Sequence, residues 1–88
     1  MYGLKLYGKI IRETKILKDT FVVEEDSTMQ YRERLEKCLI NLCREIGIPV
    51  PIWLEKNTKE FAHFRRTFFS NEQFVEKVDF DRFEIRVE

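Results

Sequence analysis

Tyr31, Leu35, Cys38, Leu39, Leu42 and Ile46 recur at the i, i+4, i+7, i+8, i+11 and i+15 spacing. That spacing draws one apolar stripe along an α-helix. Arg32, Glu33, Glu36, Lys37 and Arg44 fall largely outside the stripe. Ser27 stands three residues before Gln30, the spacing of a capping box that would open the helix. At the other end Gly47 can take the left-handed conformation, Ile48 can fold back on the last turn, and Pro49 forbids continuation. The pattern predicts a helix of about 19 residues, or roughly 28 Å, with one face committed to burial. Such a helix needs an apolar surface to lie on, and the flanking segments supply one.

Phe83, Ile85 and Val87 alternate with Glu84, Arg86 and Glu88, which predicts a strand with one buried and one wet face. The first 25 residues also read as strand, less cleanly. Leu4, Leu6 and Ile10 share one parity, while Lys5, Tyr7, Lys9 and Ile11 share the other. Gly8 suggests a bulge or a close backbone approach. The β-branched and aromatic run from Ile16 to Val23 completes a hairpin, whose turn falls near Thr14 or near Lys18-Asp19. No Asn-Gly or Asp-Gly pair fixes it.

Between the helix and the last strand, Pro49-Val50-Pro51 imposes extended geometry, and Ile52-Trp53-Leu54 forms an apolar cluster to be pinned to the core or to a partner. Asn57 with Glu60 has the spacing of a cap for a short helix through Phe61 and Phe64. Thr67, Phe68 and Phe69 look extended, and Ser70 with Gln73 predicts one more short turn containing Phe74 and Val75. The expected architecture is α+β: a two-layer sandwich in which a mostly antiparallel sheet is covered by one long helix and short helices. Residues near 4–12, 16–25 and 82–87 should form the sheet. The chain, residues 1–88, is expected to be a single domain.

The chemistry-bearing residues are few. Cys38 and Cys43 lie about 140° apart around the helix, too divergent for a disulfide. They read as small apolar side chains in a reducing cytoplasm. With one histidine beside two cysteines, a zinc site would need a carboxylate to complete four ligands. His63 sits near a helix C-terminus, where the dipole favours its charge, and no oriented partner marks it as a catalytic base. Glu76, Asp79 and Asp81 cluster before the last strand, but turn formation accounts for them. No enzyme, cofactor or metal site is expected. No run reaches the roughly 18 apolar residues of a membrane helix, and Lys5, Lys9 and Arg12 interrupt any signal-peptide core. A cytoplasmic location is expected.

Over the stretches Gly8-Lys9-Ile10-Ile11 to Leu17-Lys18-Asp19-Thr20, Pro49-Val50-Pro51-Ile52-Trp53-Leu54, Lys56-Asn57, Glu60-Phe61, Arg66-Thr67-Phe68, Phe74 and Phe80-Asp81-Arg82-Phe83-Glu84-Ile85, the chain resembles a group of short uncharacterised proteins of Gram-positive anaerobic bacteria. The resemblance covers nearly the whole sequence. It implies a small bacterial protein, and no activity, cofactor or site residue comes with it.

Two asymmetries point to binding. Sixteen basic and sixteen acidic side chains cancel, which argues against a dedicated nucleic-acid binder. Yet residues 1–18 carry five cations and one carboxylate, and residues 19–30 four carboxylates. Cross-strand charge pairing explains this. The rival explanation is a basic strip for nucleic-acid phosphates, built from Lys5, Lys9, Lys15, Lys18, Arg65 and Arg66, with Tyr2 or Tyr7 available for stacking. Aromatics are also crowded, with eight of twelve between Trp53 and Phe83. On an extended backbone Phe68 and Phe69 point to opposite faces, so one of them, or Trp53, is a candidate for an exposed patch. The leading expectation is a non-enzymatic interaction or structural module. It would be a homodimer or bind a protein partner through Trp53, Phe68 or Phe69, with an open sheet edge at Gly8, Ile10 and Ile11 helping to pair copies.

Overall fold

Alternating burial along the N-terminal segment puts Leu4, Leu6 and Ile10 on one face and leaves Lys5, Tyr7 and Lys9 on the other. The computed structural model describes residues 3–25 and 28–88. This first strand, β1 (Leu4–Arg12), turns through Glu13-Thr14 into β2 (Lys15–Glu24). The turn therefore lies near Thr14 and not near Lys18-Asp19. Glu13 takes the left-handed conformation there, with φ 59°. Its N–H donates to the Asp81 carboxylate. A register shift between Ile10 and Ile11 lets both side chains be buried.

The chain continues through α1 (Tyr31–Ile46), α2 (Glu55–Phe64), β3 (Arg66–Ser70), a three-residue 3-10 turn at Asn71–Gln73, and β4 (Arg82–Val87). The protein is thus α+β, with a four-stranded antiparallel sheet in the order β2-β1-β4-β3. Two helices of 16 and 10 residues cover it, in place of the expected one long helix with short ones. β1 has neighbours on both sides, so the edge expected at Gly8, Ile10 and Ile11 is an interior strand. The outer strands are β2 and β3.

The helix α1 starts later than its Ser27 signal implies, and Ser27 lies outside the described residues. Gln30 is the cap residue, and its N–H donates to Glu33 Oε1 at 3.1 Å. The C-terminus follows the sequence. Gly47 is left-handed at φ 89°, and the N–H groups of Gly47 and Ile48 both reach Cys43 O. Lys18 reaches across from β2 to donate to Ile46 O at 3.0 Å. A cation there complements the negative end of the helix dipole.

One cluster of buried side chains fills the space between helices and sheet. It joins Leu4, Leu6 and Ile10 of β1 to Cys38, Leu39, Leu42 and Cys43 of α1 and to Phe61, Phe69, Phe74, Phe80, Phe83 and Ile85. Close approach of α1 to β1 depends on Gly8. A Cβ built there would lie 2.6 Å from Leu42 Cδ2 and 3.0 Å from Phe83 Cε1. Both thiols are free and buried. Burial pushes the Cys43 thiol up to about 12, and Cys38 is raised by burial and by nearby Glu24. Neither thiol is activated for chemistry.

α2 is fastened differently. Asn57, read from sequence as a cap, lies inside the helix and is fully buried. Its Oδ1 accepts from Leu54 N–H and from Gln73 Nε2, both at 2.9 Å. Its Nδ2 donates to Thr67 Oγ1 at 2.8 Å and to Phe68 O at 2.9 Å. Gln73 Nε2 also donates to Ile52 O, and Thr67 Oγ1 donates to Glu60 Oε1 at 2.6 Å. The amide of Asn57 is saturated, as a buried polar group must be to avoid its desolvation cost.

Candidate functional site: an interhelical groove and an open sheet face

Because both helices lie on one side of the sheet, two surfaces remain. The first is the groove where α1 and α2 diverge. Leu35, Leu39, Trp53 and Phe61 line it together with Tyr31, Ile40 and Val50, in a volume of about 940 Å³. Tyr31 is 51% exposed, Ile40 39% and Val50 46%, so the walls are apolar and wet. Ile52 and Leu54 are also exposed but do not line the groove. The rim carries Arg32, Glu36 and Arg65. Trp53 is half-buried in the groove. Its Nε1 donates to Thr58 Oγ1 at 2.8 Å, and its ring meets Phe61 edge-on at 5.8 Å and Phe69 at 5.5 Å.

The second surface is the sheet face turned away from the helices. Strand register sets side chains of four strands in rows across it. Phe21, Tyr7, Arg86 and Arg66 form one row, and Asp19, Lys9, Glu84 and Phe68 the next. Lys5 Nζ stands 4.3 Å over the Phe21 ring, the Arg86 guanidinium 4.6 Å over Tyr7, and Lys56 Nζ 4.5 Å over Phe68. Each is a cation–π contact. Lys9 pairs with Glu84 at 3.7 Å, Arg82 with Glu84 at 2.6 Å and Arg86 with Glu88 at 2.9 Å. The Tyr7 hydroxyl donates to Asp19, and that bond to a carboxylate raises the phenol above its ordinary value. A shallow depression of about 310 Å³ lies between Tyr7, Lys9, Arg66, Phe68, Glu84 and Arg86.

The structure separates the three aromatic candidates. Phe69 is fully buried and stacks on Phe83, Phe68 is on the open face, and Trp53 is in the groove. Phe69 is therefore unavailable to a partner in the folded chain. The basic candidates also divide. Lys5, Lys9 and Arg66 share the open face. Lys15 begins β2 beside the hairpin turn, Lys18 is engaged with α1, and Arg65 borders the groove. Arg82 and Arg86 belong with the open-face group and were missed. The alternation of β4 already put them on its wet side.

Asp81 holds the hairpin turn, and His63 is exposed at the end of α2 against Phe64. Among the described residues no three His, Cys, Asp or Glu side chains are gathered to hold a metal ion, and no helix is long and apolar enough to cross a membrane. Comparison with protein-family models, curated proteins and solved structures returns no match.

Proposed function

We propose that this chain is a non-enzymatic interaction module that works by self-association through the interhelical groove. The observation that carries the reading is the wet apolar surface of Tyr31, Ile40 and Val50 around Trp53. Surfaces of this kind mark association sites on small domains. Two features favour a second copy as the occupant. A two-fold interface must be self-complementary, and the rim has both signs, so Arg32 of one copy can meet Glu36 of the other. The formal net charge of zero leaves no long-range repulsion between copies. A stable pair would have to bury about 800 Å² on each partner. On this reading the module resides in the cytoplasm, where Cys38 and Cys43 stay reduced.

Sedimentation equilibrium at tens of micromolar tests it. A mass near twice that of one chain is expected, falling to one chain in the double variant Ile40→Glu, Val50→Glu. A monomer throughout the concentration range, or a dimer that the double variant leaves intact, would overturn the reading.

A further inference from the structure

The open sheet face points to a different ligand. From the geometry we infer that this face binds single-stranded nucleic acid, with bases stacking at Tyr7, Phe21 and Phe68 and phosphates held by Arg66 and its cationic neighbours. The inference is independent of the groove, which lies on the other side of the sheet.

Charge placement is the first support. The chain is neutral as a whole, but this face is not. Lys5, Lys9, Lys56, Arg66, Arg82 and Arg86 stand on or over it, against Asp19, Glu84 and Glu88. The excess is cationic, as a polyphosphate requires. Arg66 makes no ion pair among the described residues and is exposed beside Phe68. It can meet a phosphate without first surrendering a carboxylate. The acids are already engaged: Glu84 by Lys9 and Arg82, Glu88 by Arg86, and Asp19 by the Tyr7 hydroxyl.

Ring placement is the second support. Phe21 and Tyr7 are direct cross-strand partners, and Phe68 lies on β3, two strands from β1. Neighbouring strands are about 4.8 Å apart and Phe68 stands one row along from Tyr7, so the two rings give stations roughly 12 Å apart. Arg86 lies in the Tyr7 row on β4, the strand between β1 and β3, and its guanidinium plane can itself stack on a base. Phe21 is 51% and Phe68 39% exposed, although burying either in the core would have been favourable. The three rings each lie under a Lys or Arg, which a stacking base displaces towards its own phosphate. They offer no helix or ribbon to enter a duplex groove, so the occupant is a single strand.

Fluorescence anisotropy with fluorescein-labelled oligo(U) and oligo(dT) tests this on the whole chain, with a labelled duplex as control. Both single strands are expected to bind more tightly than the duplex, with affinity falling log-linearly as salt rises. Phe68→Ala and Arg66→Glu should each weaken binding at least fivefold while both variants keep the parent's circular dichroism spectrum at the assay temperature. Ile40→Glu should leave affinity unchanged, which keeps this inference separate from the fate of the groove. No anisotropy change at low salt, equal binding of duplex and single strands, or full affinity in both face variants would overturn it.

Discussion

The two helices lie on the same side of one sheet, yet they are held by opposite means. α1 rests on β1 through Leu39, Leu42, Cys38 and Cys43, in an apolar contact tight enough to demand a glycine beneath it. α2 is tied to β3 by the side chain of Asn57, whose amide bonds to Leu54 N–H three residues back and to three groups farther along the chain. Apolar contact tolerates small shifts because dispersion is weakly directional. A saturated amide does not, because each lost bond leaves a buried polar atom unpaired. The α2 end is therefore more precisely defined, and it should fail more abruptly.

The largest effect is expected from Asn57→Ala. It would remove one bond each from Gln73, which keeps Ile52 O, from Thr67, which keeps Glu60, and from two backbone groups, at a cost of about 3 kcal/mol. Urea unfolding should show this as a large drop in midpoint. A loss well under 1 kcal/mol would mean that water replaces the amide, and the contrast between the two ends would collapse.

Gly8→Ala probes the other end. Its new methyl meets Leu42 and Phe83, and overpacking of this kind costs about 1–3 kcal/mol. Leu42→Val should recover part of that loss, measured as coupling in a double-mutant cycle. Strict additivity would show that α1 slides away freely.

The third test asks how dry the α1 end is. Burial holds the Cys43 thiol up to about 12, against 9.0 for the free side chain. The folded chain keeps this proton while the unfolded chain releases it. The stabilisation is therefore complete below about pH 9 and is lost as pH climbs towards 12, amounting to about 1 kcal/mol by pH 10. Denaturant midpoints for the parent chain and Cys43→Ala should converge across that window. Rapid labelling of both thiols by a disulfide reagent under native conditions would contradict the burial.

What was legible in the sequence follows the same divide. The α1 stripe, its Gly47 stop, the β4 alternation and the opposed directions of Phe68 and Phe69 all arise from helix and strand periods, which are local. The single left-handed residue Arg65 joins α2 to β3 and fixes which of the two phenylalanines enters the core. Asn57 does help cap α2, but from the third helical position and not ahead of the first, and its role as a buried hub has no signal in that spacing. Its partners Thr67, Phe68 and Gln73 lie 10, 11 and 16 residues away, at no regular interval. The interior position of β1 was invisible for a related reason. Strand order depends on where β4 inserts, and nothing near Gly8 encodes that. Of the surfaces, Lys5, Lys9, Arg66 and Phe68 could be named in advance. Their assembly with Arg82 and Arg86 required the β1–β4–β3 register.

The insertion of β4 between β1 and β3 also bears on how the protein is made. β3 has no other strand to pair with, and β1 lacks its second neighbour until β4 arrives. During synthesis the hairpin and both helices emerge first, with Phe69 and the second edge of β1 still uncovered. The sheet cannot close until residues 82–87 have left the ribosome. Loop closure over most of the chain must then precede the pairing that rewards it, which slows folding. A nascent chain stalled before β4 would display the aromatic core to its surroundings, and for that interval it is a natural client for chaperones.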